Sequence, residues 1–259
     1  MSIVKRVRKV FVFNAPAYKR MVRMYTVKDG IIALALSVAA VLMIMVAARY
    51  SIIGVLHFVL ALTPFLVLRY SKDKLETLGF TRKNFGKSFL LGLCLGIPFF
   101  FIVPTSRFWP LNLPHQTILR VAENMSVMAP HITFSSLLFG FLYFAVITPL
   151  AEEVFCRGLI QTRIYGIIKS DFWAILFGGV FFAIIHMPFR VQFFVYRQYD
   201  VSYAASILLY LRHYFLLHTY LMFIGFHLLF NYLYRKYNSI VAPLVLHFLI
   251  DLRVVFGHT

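Results

Sequence analysis

The stretch PLAEEVFCRGLIQTR, Pro149–Arg163, places two adjacent glutamates and an arginine directly after a long apolar run. Glu153 and Arg157 are four residues apart with the acid first, the spacing and order that favour an ion pair on one helix. Glu152 points about 100° away around the same helix, so this arginine does not compensate it. The stretch therefore predicts a helix that carries one paired carboxylate and one free carboxylate into an apolar environment.

The composition of the whole chain is that of a membrane protein. Of its 259 residues, 61% are hydrophobic and 14% are charged, whereas soluble domains average about half and about a quarter. Seven apolar segments approach the roughly 20 residues that a helix needs to cross a bilayer. They are Ile31–Ala48, Ile52–Val67, Ser88–Val103, Phe134–Leu150, Trp173–Met187, Tyr220–Tyr234 and Ile240–Phe256. None alternates as a strand would, so we predict an all-α, polytopic membrane helix bundle of about seven transmembrane helices.

The segment 190–218 leaves the number of spans open between seven and eight. Its apolar part, VSYAASILLYLRHYFLLH at 201–218, is long enough to cross, but Arg212 and His213 interrupt it. If it crosses, Arg235 and Lys236 lie on the side opposite to the other basic loops. We favour an interfacial segment and seven spans, because that arrangement keeps the positive residues on one side.

The positive charge is concentrated in two places beside the apolar segments. Residues 1–30 hold eight lysines and arginines and the 69–87 loop holds six, in a chain of net charge +17. Such residues gather on the cytoplasmic side and interact with anionic lipids, so we predict a cytoplasmic N-terminus and no nucleic-acid partner. We divide the chain into a basic segment, 1–30, and a transmembrane bundle, 31–259. Its short loops favour a prokaryotic cytoplasmic membrane, with the endoplasmic reticulum as the alternative for a eukaryotic protein.

Three ionisable residues on separate apolar segments fall at similar depth. From the basic side, Glu152 lies about 16 Å in, His186 about 22 Å and His247 about 14 Å, at a helical rise of roughly 1.5 Å per residue. Asp251 follows His247 by four residues and shares its helix face. A glutamate can act as a general base, and a histidine can orient water or stabilise an oxyanion. The sequence therefore predicts a hydrolytic site within the membrane.

The residue types alone also admit a metal site. Two histidines and one glutamate are a known ligand set for catalytic zinc. However, the chain has no His-Glu-x-x-His helix, and the three ligands would come from three separate segments. We therefore expect neither a metal nor another cofactor.

At these residues the chain resembles the CPBP family of CaaX proteases and bacteriocin-processing membrane proteins, also called the Abi family. The three family signatures read EEVFCR (Glu152, Glu153, Arg157), FAIIH (Phe182, His186) and HFLID (His247, Asp251). They occur in order on separate apolar segments, and the resemblance extends over about residues 137–251. It implies an intramembrane endopeptidase that uses glutamate without a bound metal, similar to the type II CaaX prenyl endopeptidases. Its substrate would be a membrane-associated peptide or a lipidated protein.

The resemblance also implies a role for each signature residue. Glu152 and His186 would activate water, while His247 and Asp251 would stabilise the oxyanion. Three further residues would support the site, namely Glu153, Arg157 and Phe182.

The chain departs from the family at position 251, where the peptidases most often have asparagine. An ionised Asp251 would repel an oxyanion, so it would serve only when protonated or by orienting His247. A second motif, HLLFN, offers Asn231 as a source of the missing amide. The departure also keeps open an alternative function, a catalytically inactive family member that acts as a membrane scaffold, immunity factor or regulator.

Overall fold

The computed structural model describes residues 15–50, 53–102, 141–191 and 201–256. Predictions for residues 1–14, and for the first part of the fourth apolar segment at 134–140, lie outside the described residues. Every regular element in the described ranges is helical and none is a strand, which confirms the all-α prediction. The helices are α1 (Pro16–Val22), α2 (Val27–Tyr50), α3 (Ile53–Ser71), α4 (Phe85–Ile102), α5 (141–161), α6 (Asp171–Arg190), α7 (Tyr203–His213), α8 (Phe215–Tyr237) and α9 (Val241–Phe256).

Three of these helices are long and apolar enough to cross a membrane. They cover Val27–Ala48, Asp171–Pro188 and Phe215–Tyr237. Three shorter apolar helices cover Val55–Ser71, Phe85–Phe101 and Val241–Leu252. Large apolar side chains are exposed along α2 and α3, as expected of surfaces that face lipid. The chain is a membrane protein, and its predicted number of spans, seven or eight, stays a prediction.

The described parts of the two segments that carry the basic residues meet at one end of the bundle. The backbone N–H of Ala15 donates to the carbonyl oxygen of Arg235 at 3.1 Å. The side-chain amide of Asn84, in the 69–87 loop, donates to the carbonyl oxygen of Tyr237 at 3.1 Å. The end of α8 therefore lies beside the N-terminal helix and the second basic loop. This is the arrangement expected if the segment 190–218 does not add a crossing.

The helix that carries the two glutamates, α5, is not uniform. It consists of a π-helical part, Phe141–Ile147, an α-helical part, Thr148–Glu153, and a second π-helical part, Val154–Gln161. Pro149 has no backbone N–H, so a regular i→i−4 hydrogen bond cannot form where the first π-helical part ends. π-Helical turns are rare and occur most often at functional sites.

Small residues at four-residue spacing let α4 approach α9 closely. Ser88 accepts a hydrogen bond from the backbone N–H of Ala242 at 2.9 Å. One turn later, a Cβ atom on Gly92 would lie 2.8 Å from the carbonyl oxygen of Ala242, and Gly96 repeats the close approach. Small residues at this spacing are a common basis of helix packing in membranes. This packing fixes the helix that carries His247.

Candidate active site

A buried carboxylate, that of Glu152, lies where helices α5, α6 and α9 meet. His186 on α6 places Nε2 3.2 Å from Oε2 of Glu152. His247 on α9 places Nε2 3.8 Å from the same oxygen. The structure therefore brings together the three residues whose common depth was predicted, around one oxygen of the glutamate.

Asp251, the residue at which the chain departs from the family signature, joins this cluster. Its Oδ2 lies 3.7 Å from Nε2 of His247, one helical turn away on α9. The side chain is half-buried, more accessible than that of Glu152. Nε2 of His247 thus lies within 4 Å of two carboxylates, so every residue predicted to be catalytic lies in one cluster.

The second glutamate, Glu153, is fully buried and points to different partners. Its Oε1 accepts a hydrogen bond from Nη1 of Arg157 at 2.9 Å, as the four-residue spacing predicts. The same oxygen lies 2.9 Å from Nδ1 of His247. A carboxylate can only accept, so Nδ1 carries the proton in this contact. Glu153 therefore fixes the ring of His247 and leaves Nε2 directed at Glu152.

Phe182 connects this ion pair to the other histidine. The guanidinium of Arg157 lies over the Phe182 ring, 3.9 Å from its centroid, in cation–π geometry. The ring of His186 meets Phe182 edge-on at 4.4 Å between centroids. The carbonyl oxygen of Phe182 lies 2.7 Å from Nδ1 of His186 and accepts its proton. The opposite nitrogen of His186 then shares a proton with the carboxyl group of Glu152.

The described contacts of the cluster include three carboxylates, those of Glu152, Glu153 and Asp251. The guanidinium of Arg157 contacts the carboxylate of Glu153. Buried charges require compensation. Protons on the surrounding imidazole rings are one further source of positive charge beside these carboxylates.

Asn231, predicted as a possible source of the missing amide, belongs to a second cluster. Its amide nitrogen donates to Oε1 of Gln161 and lies 3.2 Å from Nε2 of His227. Its amide oxygen accepts from Nε of Arg235. All four of these side chains are fully buried. The contacts of Asn231 therefore lie in this second cluster rather than at Glu152.

His57 is a member of the Glu152 cluster that sequence reasoning missed. It lies on α3, with Nε2 3.8 Å from Oε1 of Glu152 and Nδ1 2.5 Å from the hydroxyl oxygen of Tyr143. A signal was present in the sequence, because His57 is an ionisable residue within the second apolar segment. His57 is not part of a family signature, whereas His186 and His247 are.

The spacing of potential metal ligands is a further feature of the described residues. Within the described ranges, no group of three or more His, Cys, Asp or Glu side chains is arranged to hold a metal ion.

An apolar helical bundle with a buried glutamate–histidine cluster defines a class of membrane proteins suited to hydrolysis away from bulk water. Residues 134–253 match the family model described as Type II CAAX prenyl endopeptidase Rce1-like. This segment is therefore an Rce1-like domain, which is consistent with the resemblance to the CPBP family. The matched family is one of CAAX-protease-type membrane enzymes. Comparison with the curated proteins and with the solved structures found no match.

Proposed function

We propose that the protein is a glutamate-type intramembrane endopeptidase that cleaves a lipidated, CaaX-like or membrane-associated peptide. The observation that carries this proposal is the approach of Nε2 of His186 and Nε2 of His247 to Oε2 of Glu152, at 3.2 and 3.8 Å. These residues come from three helices, and all lie within the segment that matches the Rce1-like family.

In the proposed reaction, Glu152 and His186 hold a water molecule and remove one of its protons. The resulting hydroxide attacks the carbonyl carbon of the scissile peptide bond and forms a tetrahedral oxyanion. The proton then passes from Glu152 to the leaving nitrogen as the carbon–nitrogen bond breaks. General base catalysis of this kind contributes about 10²- to 10⁴-fold to the rate.

In the same reaction, His247 stabilises the oxyanion. The contact of its Nδ1 with Glu153 leaves Nε2 as the nitrogen that faces the reacting groups. In the imidazolium form both nitrogens are donors, so Nε2–H can donate to the oxyanion while Nδ1–H donates to Glu153. Asp251 contributes in its protonated form or by orienting His247, since an ionised carboxylate at this position opposes a developing negative charge.

The support residues hold this geometry without taking part in the reaction. Arg157 compensates Glu153, and Phe182 packs between the guanidinium and the ring of His186. Such partners fix the orientation of the groups that react, and their loss changes activity through geometry.

We also propose that the N-terminus and the 69–87 loop face the cytoplasm of a prokaryotic cell. The support is the shared position of both basic segments at one end of the bundle, together with the positive-inside rule. Thiol labelling of a Lys74→Cys variant in right-side-out and inverted vesicles tests this orientation. We expect labelling only in the inverted vesicles, and labelling only in the right-side-out vesicles would overturn the orientation.

Hydrolysis of a quenched fluorescent farnesylated CaaX peptide by the purified protein tests the proposed function. We expect Glu152→Gln and His186→Ala to lower kcat/KM by at least about 100-fold, because each removes a group that handles the proton of water. The matched controls are Glu76→Gln and His213→Ala, which change exposed residues of the same types. A chelator is expected to have little effect.

The same assay separates the proposal from its alternative. Equal rates for the wild type and Glu152→Gln would favour the catalytically inactive scaffold or regulator. Comparison with the same peptide lacking the farnesyl group measures how far the enzyme depends on the lipid. Cleavage of both peptides at equal rates would point to a membrane-associated peptide rather than a prenylated one.

A further inference from the structure

The two oxygens of Glu152 have different surroundings. Oε2 is approached by His186 and His247, which belong to the family signatures. Oε1 is approached by His57, on α3, at 3.8 Å from Nε2. His57 lies outside residues 134–253, the segment that matches the family model. Its side chain is 15% exposed, so it lies largely within the bundle beside the carboxylate.

Tyr143 determines which nitrogen of His57 carries a proton. The hydroxyl oxygen of Tyr143 lies 2.5 Å from Nδ1 of His57, and the two rings meet at 62° with centroids 5.6 Å apart. A neutral imidazole has one donor and one acceptor nitrogen, whereas a carboxylate only accepts. If Nδ1 held the only proton, Nε2 would direct a lone pair at Glu152. With the phenol donating to Nδ1, Nε2–H is directed at Oε1, and this is the favourable tautomer.

We infer that His57 is a positioning residue that holds Oε1 of Glu152 and thereby keeps Oε2 directed at His186 and the reacting water. The inference rests on the proposed function and adds to it a residue outside the family segment. A carboxylate that rotates about its last side-chain bond exchanges its two oxygens. A donor fixed on one oxygen removes that freedom, which is how outer partners orient catalytic groups.

The length of the contact agrees with such a role. At 3.8 Å it is longer than a hydrogen bond of about 2.7–3.2 Å. Contacts of catalytic groups are often long without substrate and shorten in the reacting complex. A shorter contact in the reacting complex would let Nε2–H donate to Oε1, while the Tyr143 hydroxyl contacts Nδ1 on the other side of the ring.

Steady-state kinetics on the farnesylated peptide test the inference through four variants. We expect His57→Leu to lower kcat by about 10- to 100-fold with KM nearly unchanged, as the loss of an orienting partner does. His57→Gln, whose amide N–H can replace Nε2–H, should recover most of the rate. Tyr143→Phe should have a smaller effect, and the double variant His57→Leu/Tyr143→Phe should be no slower than His57→Leu alone.

Leu60→Ala is the packing control for these variants, because it removes a buried side chain from the same helix. We expect it to lower thermal stability without lowering kcat of the folded protein. Equal rates for His57→Leu and His57→Gln would overturn the inference. So would an effect confined to KM, or additive effects of the His57 and Tyr143 substitutions.

Infrared spectroscopy separates this inference from the proposed function. The carboxyl and carboxylate bands of Glu152 are identified as those lost in Glu152→Gln. We expect His57→Leu to shift them and Leu60→Ala to leave them unchanged. If the wild type does not hydrolyse the peptide, the proposed function fails. The infrared bands still test whether His57 positions the carboxylate of Glu152. Bands that are identical in the wild type and His57→Leu overturn the positioning role.

Discussion

Two buried polar clusters among the described residues differ in how far their side chains are exposed to solvent. The cluster of Gln161, His227, Asn231 and Arg235 is fully buried. In the cluster around Glu152, the side chains of His57, His186 and Asp251 are 15 to 22% exposed. A histidine and an arginine occur in both, so these residue types alone do not distinguish a reactive site from a structural network. The two clusters differ instead in their access to water and in their number of carboxylates.

The contrast also appears in the partners of the two arginines. In the Glu152 cluster, Arg157 donates to a buried carboxylate. In the second cluster, Arg235 donates to the neutral amide of Asn231. A charged pair next to ionisable groups can change their protonation. A network of hydrogen bonds between amide groups mainly holds helices together. We therefore expect substitutions in the first cluster to change activity and those in the second to change stability.

The largest effect is expected from Arg157→Ala. The substitution leaves the fully buried carboxylate of Glu153 without its cation and removes the group that stacks on Phe182. Breaking a buried pair in this way costs about 3–5 kcal/mol. We expect both the melting temperature in detergent and kcat to fall, because the carboxylate that holds His247 is disturbed. Thermal unfolding and peptide hydrolysis measure the two losses.

Arg157→Lys is the control for that substitution, since it keeps the charge and loses the planar guanidinium. An intermediate loss is expected. If Arg157→Ala instead unfolded at the wild-type temperature and kept full activity, the ion pair would have no role in the site. The distinction between the two clusters would then lose its main support.

A smaller loss, confined to stability, is expected from Asn231→Leu. The change removes the acceptor of Arg235 Nε and the donor to Gln161, and unsatisfied buried groups cost about 1–3 kcal/mol each. The melting temperature should fall, while kcat of the folded fraction stays near the wild-type value. A loss of kcat comparable to that of His186→Ala would contradict this prediction. It would support the role that the second His-x-x-x-Asn motif suggested for Asn231, that of a residue supplying an amide to the site.

Much of the candidate site could be predicted because its residues are either four positions apart on one helix or at a similar depth in the membrane. The pair Glu153–Arg157 follows from four-residue spacing, and the meeting of Glu152, His186 and His247 follows from their similar distances from the basic side. These features depend on helix geometry alone. The all-α class followed in the same way from apolar composition and the demands of a bilayer on the backbone.

Features that depend on which helices pack together could not be predicted. His57 reaches Glu152 because α3 packs against α5, and no spacing within either segment specifies that contact. For the same reason, the contact of His247 with Glu153 was not anticipated, although its spacing to Asp251 was. Asn231 shows the reverse case, since a short motif suggested it as a site residue and its described contacts lie in another cluster, so its role stays a prediction.

The smallest effect, and the one that bears most directly on the reaction, is expected at Asp251. Its Oδ2 lies 3.7 Å from Nε2 of His247, the nitrogen proposed to stabilise the oxyanion. Asp251→Asn removes a possible negative charge there and adds an amide donor, so we expect kcat to rise a few-fold. Asp251→Ala is the control, because it removes the charge without adding a donor and should not produce the gain. If both variants lose activity equally, the native carboxyl group is required to orient His247, and the departure from the family signature serves the reaction.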